Sequence, residues 1–350
     1  MNGKQIKLFL GGYINFINAQ NINCRSIAVH IDKKKFKVKC LELYNGNLDT
    51  PMIHGVSTII AFWPLRISRF ICYLRGVLWC DIAYLPKFEL NYFNRFILWL
   101  FKKKSITTLE IIYDLEKTKH SNDLLKKKIN LLSSFDRVYA ITPFIKKNYE
   151  SLGFRIEQDI LYLGSELDKI KENENNIINN IIFIGNDFQR KNIEDFIKLA
   201  HCFPLISFHI VGANSNNFNI DKLIQDKNLK NINIHGTLNR NALNELLIGM
   251  NLHFLPSRIE GFPKVILETA NAGVPSIVYS NYGAKDFISN RIDGYVVDHL
   301  DEVVNLIKYL LKNLNKYNNI KNHTRLLAKN FSWSIKIKKW ENVFTELYKK

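Results

Sequence analysis

The stretch Leu252–Glu268, LHFLPSRIEGFPKVILE, decides the fold. It opens with a short apolar run, turns at Gly261 and continues with helical spacing from Pro263. Glycine lets the backbone come close to a ligand, and proline suits the first turn of a helix. A strand, a tight turn and a helix in this order predict one repeat of a parallel α/β sheet.

Two glutamates bracket this turn. Glu260 stands just before the predicted helix, and Glu268 stands about two turns into it. The N–H groups and positive dipole end of a helix start favour a phosphate, so the two carboxylates could reach hydroxyl groups on either side of a diphosphate. The plainer interpretation is a solvated loop glutamate and a solvated helix glutamate.

The same alternation of short apolar runs and amphipathic stretches extends in both directions. Nearly all-apolar strands separated by helices predict a parallel sheet with helices on both faces, which binds ligands at the carboxyl ends of its strands. In the C-terminal half the other predicted strands are 180–185, 206–212, 231–236, 275–279 and 294–297. In the N-terminal half the pattern is weaker, and the predicted strands are 6–12, 35–43, 81–86, 105–111, 137–142 and 159–164.

The length predicts two domains, because 350 residues with 47% hydrophobic content exceed one ordinary core. We place the N-terminal domain at 1–168 and the C-terminal domain at 177–330. The polar run KIKENENN at 169–176 is the predicted hinge. Residues 331–350 read as a final helix that returns to the N-terminal domain.

A second turn carries cations. GNDFQRKN, 185–192, joins a predicted strand to its helix and contains Arg190 and Lys191. Two cations at a helix start oppose its dipole, and a bound anion would compensate them. The alternative is a solvated cation pair. Gly212 and Thr237 end the next two strands and are expected at the same edge.

The formal net charge of +17 favours anionic partners such as nucleotides, nucleic acids or acidic lipid surfaces. A basic nucleic-acid-binding module is one alternative, but no RNA-binding aromatic strand, zinc pattern or recognition helix supports it. The five cysteines are scattered and odd in number, so we expect a reduced compartment, and the dispersed histidines and Cys202 we interpret as structural. No apolar run approaches the ~20 residues of a membrane-spanning helix.

These stretches resemble glycosyltransferase family 4. The likeness rests on PSRxEGFPxxxLE, GxxxxRKN, HIVG and NIHGTLNRNALNELL in the C-terminal half, and more loosely on GGYINFINAQNINCRS, DRVYAITPFI and LYLGSE in the N-terminal half. The resemblance implies the α/β GT-B fold, in which two Rossmann-like domains face each other across a cleft. It also implies a glycosyltransferase that uses a nucleotide-sugar donor.

The resemblance assigns roles to residues of the C-terminal half. Glu260 would hold the donor sugar and Glu268 the ribose, while Lys191, with Arg190 beside it, would bind the diphosphate as part of the catalytic set. The remaining predicted donor-binding residues are Gly185, Asn186, Gly212, Thr237, Gly261, Phe262, Pro263, Lys264 and Val265. Gly261 and Phe262 would offer backbone N–H groups to sugar hydroxyls.

In the N-terminal half, Gly11 and Gly12 match the glycine loop near the donor phosphates. The sequence departs from the family at two positions. Asn186 stands where an arginine is usual, and Glu110 stands roughly where the family carries a histidine beside the reacting sugar. Glu110 is therefore the predicted acceptor-side residue.

No Asp-x-Asp triplet occurs, and Asp114-x-Glu116 is the nearest approximation. Metal-bound diphosphates need clustered carboxylates, so we expect no metal and no other cofactor. The resemblance implies transfer of a hexose-type sugar with retention of configuration. A Rossmann oxidoreductase is one alternative, but the GxGxxG motif that such enzymes usually carry after the first strand is absent from this sequence. A homologue that binds the donor but is inactive is another alternative.

Two segments combine aromatic residues with cations: Trp63–Leu74, and Leu90–Phe101 followed by Lys102–Lys104. They suit an anionic membrane surface, or else they are ordinary core helices with charged ends. Family resemblance and this basic half suggest a glycan or lipid-linked glycan acceptor in polysaccharide or lipopolysaccharide biosynthesis. The expected location is the cytoplasm, with peripheral attachment to the inner face of the cytoplasmic membrane as a hypothesis.

Overall fold

The computed structural model describes residues 4–47, 51–86, 92–112, 122–168, 170, 177–213 and 220–349. The chain divides into two compact units. The N-terminal unit comprises Met1–Glu166 and Trp333–Lys350, and the C-terminal unit comprises Leu167–Ser332. The last helix thus belongs to the N-terminal unit. Of the predicted hinge, only Ile170 lies within the described residues.

The N-terminal unit holds a parallel six-stranded sheet in the order β3-β2-β1-β4-β5-β6. Its strands are β1 Ile6–Tyr13, β2 Phe36–Leu43, β3 Val56–Ala61, β4 Ile82–Tyr84, β5 Lys104–Leu109 and β6 Arg137–Ala140. Its helices include α1 Ala19–His30, α2 Leu65–Trp79, α3 Tyr92–Leu100, α4 Asn122–Leu132 and α5 Pro143–Glu150, and the returning helix Trp333–Lys349 is α12.

Capping side chains define where two of these helices begin. The Asn18 side chain accepts a hydrogen bond from Gln20 N ahead of α1. Thr142 accepts one from Ile145 N ahead of α5, whose first residue is Pro143. Both arrangements satisfy N–H groups that a helix start leaves unpaired.

Helix α12 is fastened to this unit by aromatic packing. The Trp340 ring lies 5.2 Å from the ring of Tyr84 on β4, and its indole N–H donates to Tyr162 O at 3.0 Å. Gly164 is required beside it, because a Cβ there would lie 2.7 Å from Trp333. The C-terminal helix is therefore part of the N-terminal core.

The predicted strand at 159–164 is wrong. This segment forms no strand, although Leu161 N donates to Ala140 O at 3.0 Å and Glu157 N donates to Val138 O at 2.9 Å. Two isolated bonds to β6 hold it extended without a continuous ladder. The segment resembled a strand in sequence because it contains apolar residues, and two of these, Leu161 and Leu163, are indeed buried in the structure.

The C-terminal unit holds a second parallel sheet in the order β12-β11-β10-β7-β8-β9. Its strands are β7 Asn180–Ile184, β8 Ser207–Val211, β9 Ile232–Gly236, β10 Leu252–Leu255, β11 Ser276–Tyr279 and β12 Tyr295–Val297. Its helices include α6 Ile193–Cys202, α7 Ile220–Asp226, α8 Arg240–Ile248, α9 Val265–Asn271, α10 Leu300–Lys312 and α11 Leu314–Asn330. A short 3-10 turn spans Gly283–Asp286.

Both faces of the central strands of this sheet are buried, as their continuous apolar residues predicted, whereas the edge strand β9 is partly exposed. Phe183 on β7 packs against Phe196 of α6 with ring centroids 5.6 Å apart. Its neighbours Ile182 and Ile184 join a separate cluster with Leu247 of α8. Successive side chains of a strand point to opposite faces, so β7 needs apolar residues throughout.

Among the described residues, none of the helices combines the length and apolarity needed to cross a membrane.

His253 on β10 is the fully buried histidine of this unit. Its Nδ1 lies 2.9 Å from Ser276 Oγ, and its Nε2 has no hydrogen-bond partner in the described part of the chain. Burial, with a smaller contribution from the positive charge of Lys191, lowers its pKa to about 3. The ring is neutral in the folded protein at neutral pH.

This neutral histidine predicts a defined acid sensitivity. The unfolded chain takes up a proton near pH 6.5, while folded His253 does so near pH 3. Between these values the unfolded state binds more protons, so the free energy of unfolding falls by up to about 1.4 kcal/mol per pH unit as pH drops. Well above pH 6.5 the ring is neutral in both states and contributes no pH dependence.

His253→Gln removes this contribution. The difference in free energy of unfolding between wild type and variant should shrink by about 2 kcal/mol between pH 7.5 and pH 5, measured by urea unfolding. His201→Gln, at an exposed histidine of the same unit, is the matched control and should show a constant difference. A constant difference for His253→Gln as well would show that this ring titrates normally.

Candidate functional site

The order of the C-terminal sheet reverses between β7 and β10. From β7 the chain proceeds outward through β8 to β9, then returns to place β10 on the other side of β7. The connections after β7 and β10 therefore leave the carboxyl edge in opposite directions and open a crevice, the usual ligand position in such sheets. The β7–α6 turn carries Arg190 and Lys191, and the β10–α9 turn carries Glu260.

The β7–α6 turn has an unusual backbone. Asp187 and Asn192 adopt left-handed conformations with φ of 61° and 53°. Phe188 between them is buried, and Lys191 N donates to Asp187 O at 3.0 Å. A buried aromatic residue and internal hydrogen bonds thus fix the direction in which the two cations leave the turn.

The three predicted catalytic residues meet at one oxygen atom. Lys191 Nζ and an Arg190 guanidinium nitrogen each lie 2.8 Å from Glu260 Oε1. The side chains of Lys191 and Glu260 are only 11% and 14% exposed, and that of Arg190 is 38% exposed. One partly buried carboxylate therefore pairs with two cations at once.

Further contacts lock Arg190 in place. Its Nε donates to Asp187 Oδ2 at 3.1 Å, and its NH1 donates to Ile259 O at 3.0 Å. Burial opposes its charge, but Glu260 and Asp187 outweigh burial and raise the pKa of Arg190. Asp187 was not among the predicted site residues, although it lies within the quoted turn.

The predicted glycines of this edge are explained by close packing. A Cβ on Gly185, whose φ is 155°, would lie 2.3 Å from the Lys191 side chain. A Cβ on Gly212, whose φ is 131°, would lie 2.3 Å from Gly185 O. Asn186 bridges the two turns, because its Oδ1 accepts from Ala213 N at 2.9 Å.

The loop between Glu260 and α9 presents backbone rather than side chains. The Phe262 ring packs 5.1 Å from that of Phe287, and Gly283 N donates to Glu260 O at 3.1 Å. Within the described residues, the N–H groups of Gly261 and Phe262 have no hydrogen-bond acceptor. Pro263 is buried, Lys264 precedes the helix and Val265 is its first residue, so the helix begins two residues later than predicted.

Glu268 lies in α9, half-buried, within the electrostatic reach of several charges. Burial raises its pKa, while Arg240, Lys264 and Lys191 act in the opposite direction. Nearby Asp168 accepts from Arg240 Nε at 2.5 Å and from Asn244 Nδ2 at 2.8 Å. The motif alone did not reveal Asp168 or Arg240, because they come from distant parts of the chain.

Ser257 and Thr237 also lie at this edge of the sheet. Ser257, fully buried, has its Oγ 3.4 Å from Glu260 Oε1 and was not predicted as a site residue. Thr237 is exposed after the edge strand β9, and its neighbour Gly236 accepts from Gly212 N at 2.8 Å. Thr237 therefore stands at the periphery of this group.

In the N-terminal unit, Gly11 and Gly12 lie within β1, not in a loop as expected. The pairing of β1 with β2 is irregular between Leu10 and Tyr13. A Cβ on Gly11 would lie 2.7 Å from Leu85, and one on Gly12 would lie 2.7 Å from Cys24 of α1. These glycines permit close packing at the switch point of this sheet, between β1 and β4.

Glu110 follows β5 at the carboxyl edge of the N-terminal sheet. Its Oε2 accepts from Asn23 Nδ2 at 2.9 Å, and its Oε1 accepts from Thr108 Oγ1 at 3.1 Å and Tyr84 OH at 3.4 Å. Three neutral donors hold the carboxylate in a fixed position. Asp114 and Glu116 lie outside the described residues.

The C-terminal arrangement can bind an anion. Two cations fixed by a single carboxylate can turn to an entering phosphate, and nearby N–H groups can add hydrogen bonds. Across the described ranges no group of three or more histidine, cysteine, aspartate or glutamate side chains is placed to hold a metal ion.

Comparison with known proteins agrees with this geometry. Residues 165–327 match the family described as glycosyl transferases group 1. An uncharacterized glycosyltransferase of Haemophilus influenzae is 21% identical over 47% of the chain and 48% of its own length. An alpha-galactosylglucosyldiacylglycerol synthase of Streptococcus pneumoniae is 33% identical over 27% of each protein. The chain thus spans about half or less of the length of these relatives.

A solved structure extends the likeness to the whole fold. HepE from Anabaena, in complex with UDP, superposes with a TM-score of 0.81 at 15% identity, covering 98% of this chain and 100% of that one. With two parallel six-stranded sheets in two units, the chain has the α/β GT-B fold.

The shared carboxylate predicts unequal effects of two substitutions. Glu260→Gln leaves the partly buried Lys191 without its carboxylate and Arg190 with Asp187 alone, and should lower the free energy of unfolding by about 2 kcal/mol. Lys191→Met should cost less, because Glu260 keeps Arg190. Urea or thermal unfolding of both variants measures the order.

Binding of inorganic pyrophosphate tests whether these cations form an anion site. It should raise the unfolding midpoint of Glu260→Gln more than that of wild type, because no carboxylate then competes for the cations. Glu245→Gln, at an exposed position of α8, should respond like wild type. Equal responses of Glu260→Gln and wild type would contradict an anion site at these cations.

Proposed function

We propose that this protein is a retaining, metal-independent glycosyltransferase that moves a hexose-type sugar from a nucleotide diphosphate to a hydroxyl of an acceptor. One observation carries the proposal. Lys191 and Arg190 converge on Glu260 at the switch point of the C-terminal sheet. A nucleotide-diphosphate sugar supplies both groups that such a set recognises, a diphosphate for the cations and hydroxyls for the carboxylate.

The donor would lie along the carboxyl edge of the C-terminal unit. Lys191 and Arg190 would exchange Glu260 for diphosphate oxygens, and the released Glu260 would accept hydrogen bonds from the sugar. Gly261 and Phe262 would donate their backbone N–H groups. Glu268 would accept from the ribose, and its half-buried position beside Arg240 suits a partner that enters with hydroxyl groups.

We propose the chemical step that the family resemblance implies. The bond between the sugar C1 and the diphosphate oxygen breaks as the acceptor oxygen bonds to C1 on the same face. The acceptor proton passes to the departing diphosphate oxygen, so no protein base is needed. Lys191 and Arg190 stabilise the negative charge that develops on the leaving group, which removes the need for a metal.

The acceptor is a glycan or a lipid-linked glycan in surface-polysaccharide or lipopolysaccharide synthesis. Glu110, fixed by Asn23, Thr108 and Tyr84, is the proposed acceptor-side residue. Support for a lipid-linked acceptor comes from the name of the S. pneumoniae relative, a diacylglycerol glycolipid synthase. With such an acceptor, we propose that the reaction takes place at the cytoplasmic face of the membrane.

Donor affinity should depend separately on the two ends of the site. Lys191→Ala should weaken binding of the nucleoside diphosphate, and Glu268→Ala should weaken binding of the nucleoside. Each loses a hydrogen bond to a charged group, worth ~1.5–3 kcal/mol, or about 10- to 150-fold in Kd. Calorimetry with UDP, GDP and ADP first identifies the base and then measures both variants.

The matched controls are exposed charged residues of the C-terminal unit that lie outside the proposed donor site. Lys198→Ala on α6 and Glu245→Ala on α8 should leave the Kd unchanged. Unchanged affinity in both site variants would refute the assigned donor site. Tight donor binding without turnover on any acceptor would instead identify an inactive homologue.

Turnover should survive removal of metals. With EDTA present, product formation followed by chromatography should match that with added Mn²⁺, and NMR of the product should show the anomeric configuration of the donor. Activity that disappears with EDTA and returns with Mn²⁺ would contradict the metal-independent mechanism. Inversion of the anomeric centre would contradict same-face attack.

A further inference from the structure

Helices α2 and α3 carry an exposed apolar face that the N-terminal core does not use. Of the 15 residues of α2, only Cys72, Tyr73, Gly76 and Val77 are buried. Trp63 just ahead of α2 is 78% exposed, Ile67 is 63% exposed, and Trp99 on α3 is 74% exposed. The outer faces of these two segments therefore do not belong to the core, contrary to the interpretation as ordinary core helices.

Exposed aromatic side chains of the two helices contact one another. The ring centroids of Phe70 on α2 and Phe93 on α3 lie 5.6 Å apart, and those of Phe96 and Trp99 lie 6.0 Å apart. We name this surface the α2–α3 face and define it by six exposed residues: Trp63, Ile67, Phe70, Phe93, Phe96 and Trp99. An exposed apolar surface of this kind marks an interaction site.

The charged residues within the two helical segments have one sign, although Asp81 and Asp136 lie near Trp99. Segment 62–79 contains three arginines, segment 92–104 contains one arginine and three lysines, and neither contains an aspartate or glutamate. At the end of α2, Lys39 Nζ lies 4.3 Å above the Trp79 ring. Burial lowers the pKa of Lys39, and the like charges of Arg75, Lys37 and Lys7 lower it further.

We infer that the α2–α3 face binds the surface of an anionic lipid bilayer. Exposed tryptophan and phenylalanine beside arginine and lysine suit the boundary between headgroups and acyl chains. A second copy of the chain is disfavoured, because a symmetric contact would bring the same cations together without counter-charges. Nucleic acid would satisfy the cations but would leave Ile67 and its aliphatic neighbours uncovered.

One end of the face, at Trp63, lies at the carboxyl edge of the N-terminal sheet. The face begins immediately after β3, at the carboxyl edge of the N-terminal sheet, and α2 ends just before β4, at the amino edge. Glu110 follows β5 at the same carboxyl edge. A bilayer on this face would bring lipid headgroups to the edge that carries the proposed acceptor-side residue. This consequence rests on the proposed sugar transfer, whereas bilayer binding itself does not.

Vesicle co-sedimentation of the full chain tests the inference without any sugar donor. The protein should pellet with vesicles of phosphatidylglycerol and phosphatidylcholine, and remain in the supernatant with phosphatidylcholine alone. Tryptophan emission should shift to the blue on binding, because Trp63 and Trp99 are exposed while Trp333 and Trp340 are buried. A wild-type protein that stays in the supernatant with anionic vesicles overturns the inference.

The apolar contribution is tested by changing Trp63, Ile67 and Trp99 together to serine. These side chains are exposed, so folding should be preserved and vesicle binding and the emission shift should be lost. The matched control changes three exposed apolar residues elsewhere in the chain to serine: Met52, Leu205 and Ile292. Equal pelleting of the site variant and this control overturns the inference.

The charge contribution is tested with Arg66→Gln and Arg75→Gln combined. The vesicle partition coefficient should fall about 30-fold, since each cation near an anionic surface contributes ~1 kcal/mol, or about fivefold. Lys308→Gln and Lys312→Gln combined, exposed on α10 of the other unit, form the matched control. Lys103 and Lys104 are unsuitable, because Lys103 Nζ donates to Cys80 O at 2.6 Å and Lys104 lies 3.8 Å from Asp136.

The remaining outcomes identify another occupant. One outcome is that wild type does not bind vesicles but forms dimers in sedimentation velocity, and that the serine variant stays monomeric. This outcome would assign the face to a second copy of the chain. Salt-sensitive retardation of nucleic acid without vesicle binding would assign it to nucleic acid. Either result overturns the lipid inference and leaves the proposed transfer reaction standing.

Discussion

Two cations and one carboxylate share a small space at the switch point of the C-terminal sheet, and much of the surrounding structure depends on that contact. Lys191 is nearly buried, and a buried ammonium without an anion is strongly unfavourable. Glu260 satisfies it and Arg190 together. Gly185 must lack a side chain for Lys191 to reach this position, and Gly212 must lack one because it packs on Gly185 O. The glycines, the left-handed turn and the carboxylate therefore form a single constraint.

For the proposed donor site, the same contact would keep the cations in place before a ligand anion binds. Glu260 holds the place of a ligand anion, so the cations are oriented before a phosphate arrives. A diphosphate carries more charge than one carboxylate and can displace it, and the displaced carboxylate stays beside the ligand because Gly283 and Phe262 anchor its loop. Cations and carboxylate thus act as an exchangeable set, which reduces the reorganisation that binding requires.

Most of the fold could be predicted from the sequence because both sheets are parallel and their central strands are buried on both faces, which gives nearly continuous apolar strands such as Asn180–Ile184. The grouping of Glu260 with Lys191 was also predictable, since the carboxyl ends of parallel strands meet at one edge. Their shared oxygen was not, because it depends on strand order and joins residues 69 positions apart. Gly11 and Gly12 looked like a loop, yet they serve helix packing within a strand. Asp168 and Arg240 beside Glu268 carry no local signal.

The net charge of +17 needs an explanation beyond the donor site, because the cations of that site are matched by Glu260 and Asp187. Much of the unmatched charge lies on the N-terminal unit. There Lys39 is flanked by Arg75, Lys37 and Lys7, and the two helical segments beside the exposed tryptophans contain no acidic residue. Like charges gathered around exposed aromatic rings are unfavourable in isolation, for both electrostatic and hydrophobic reasons. An anionic and partly apolar partner removes both costs at once. A bilayer surface has both properties, whereas a nucleotide or a water-soluble glycan has at most the first.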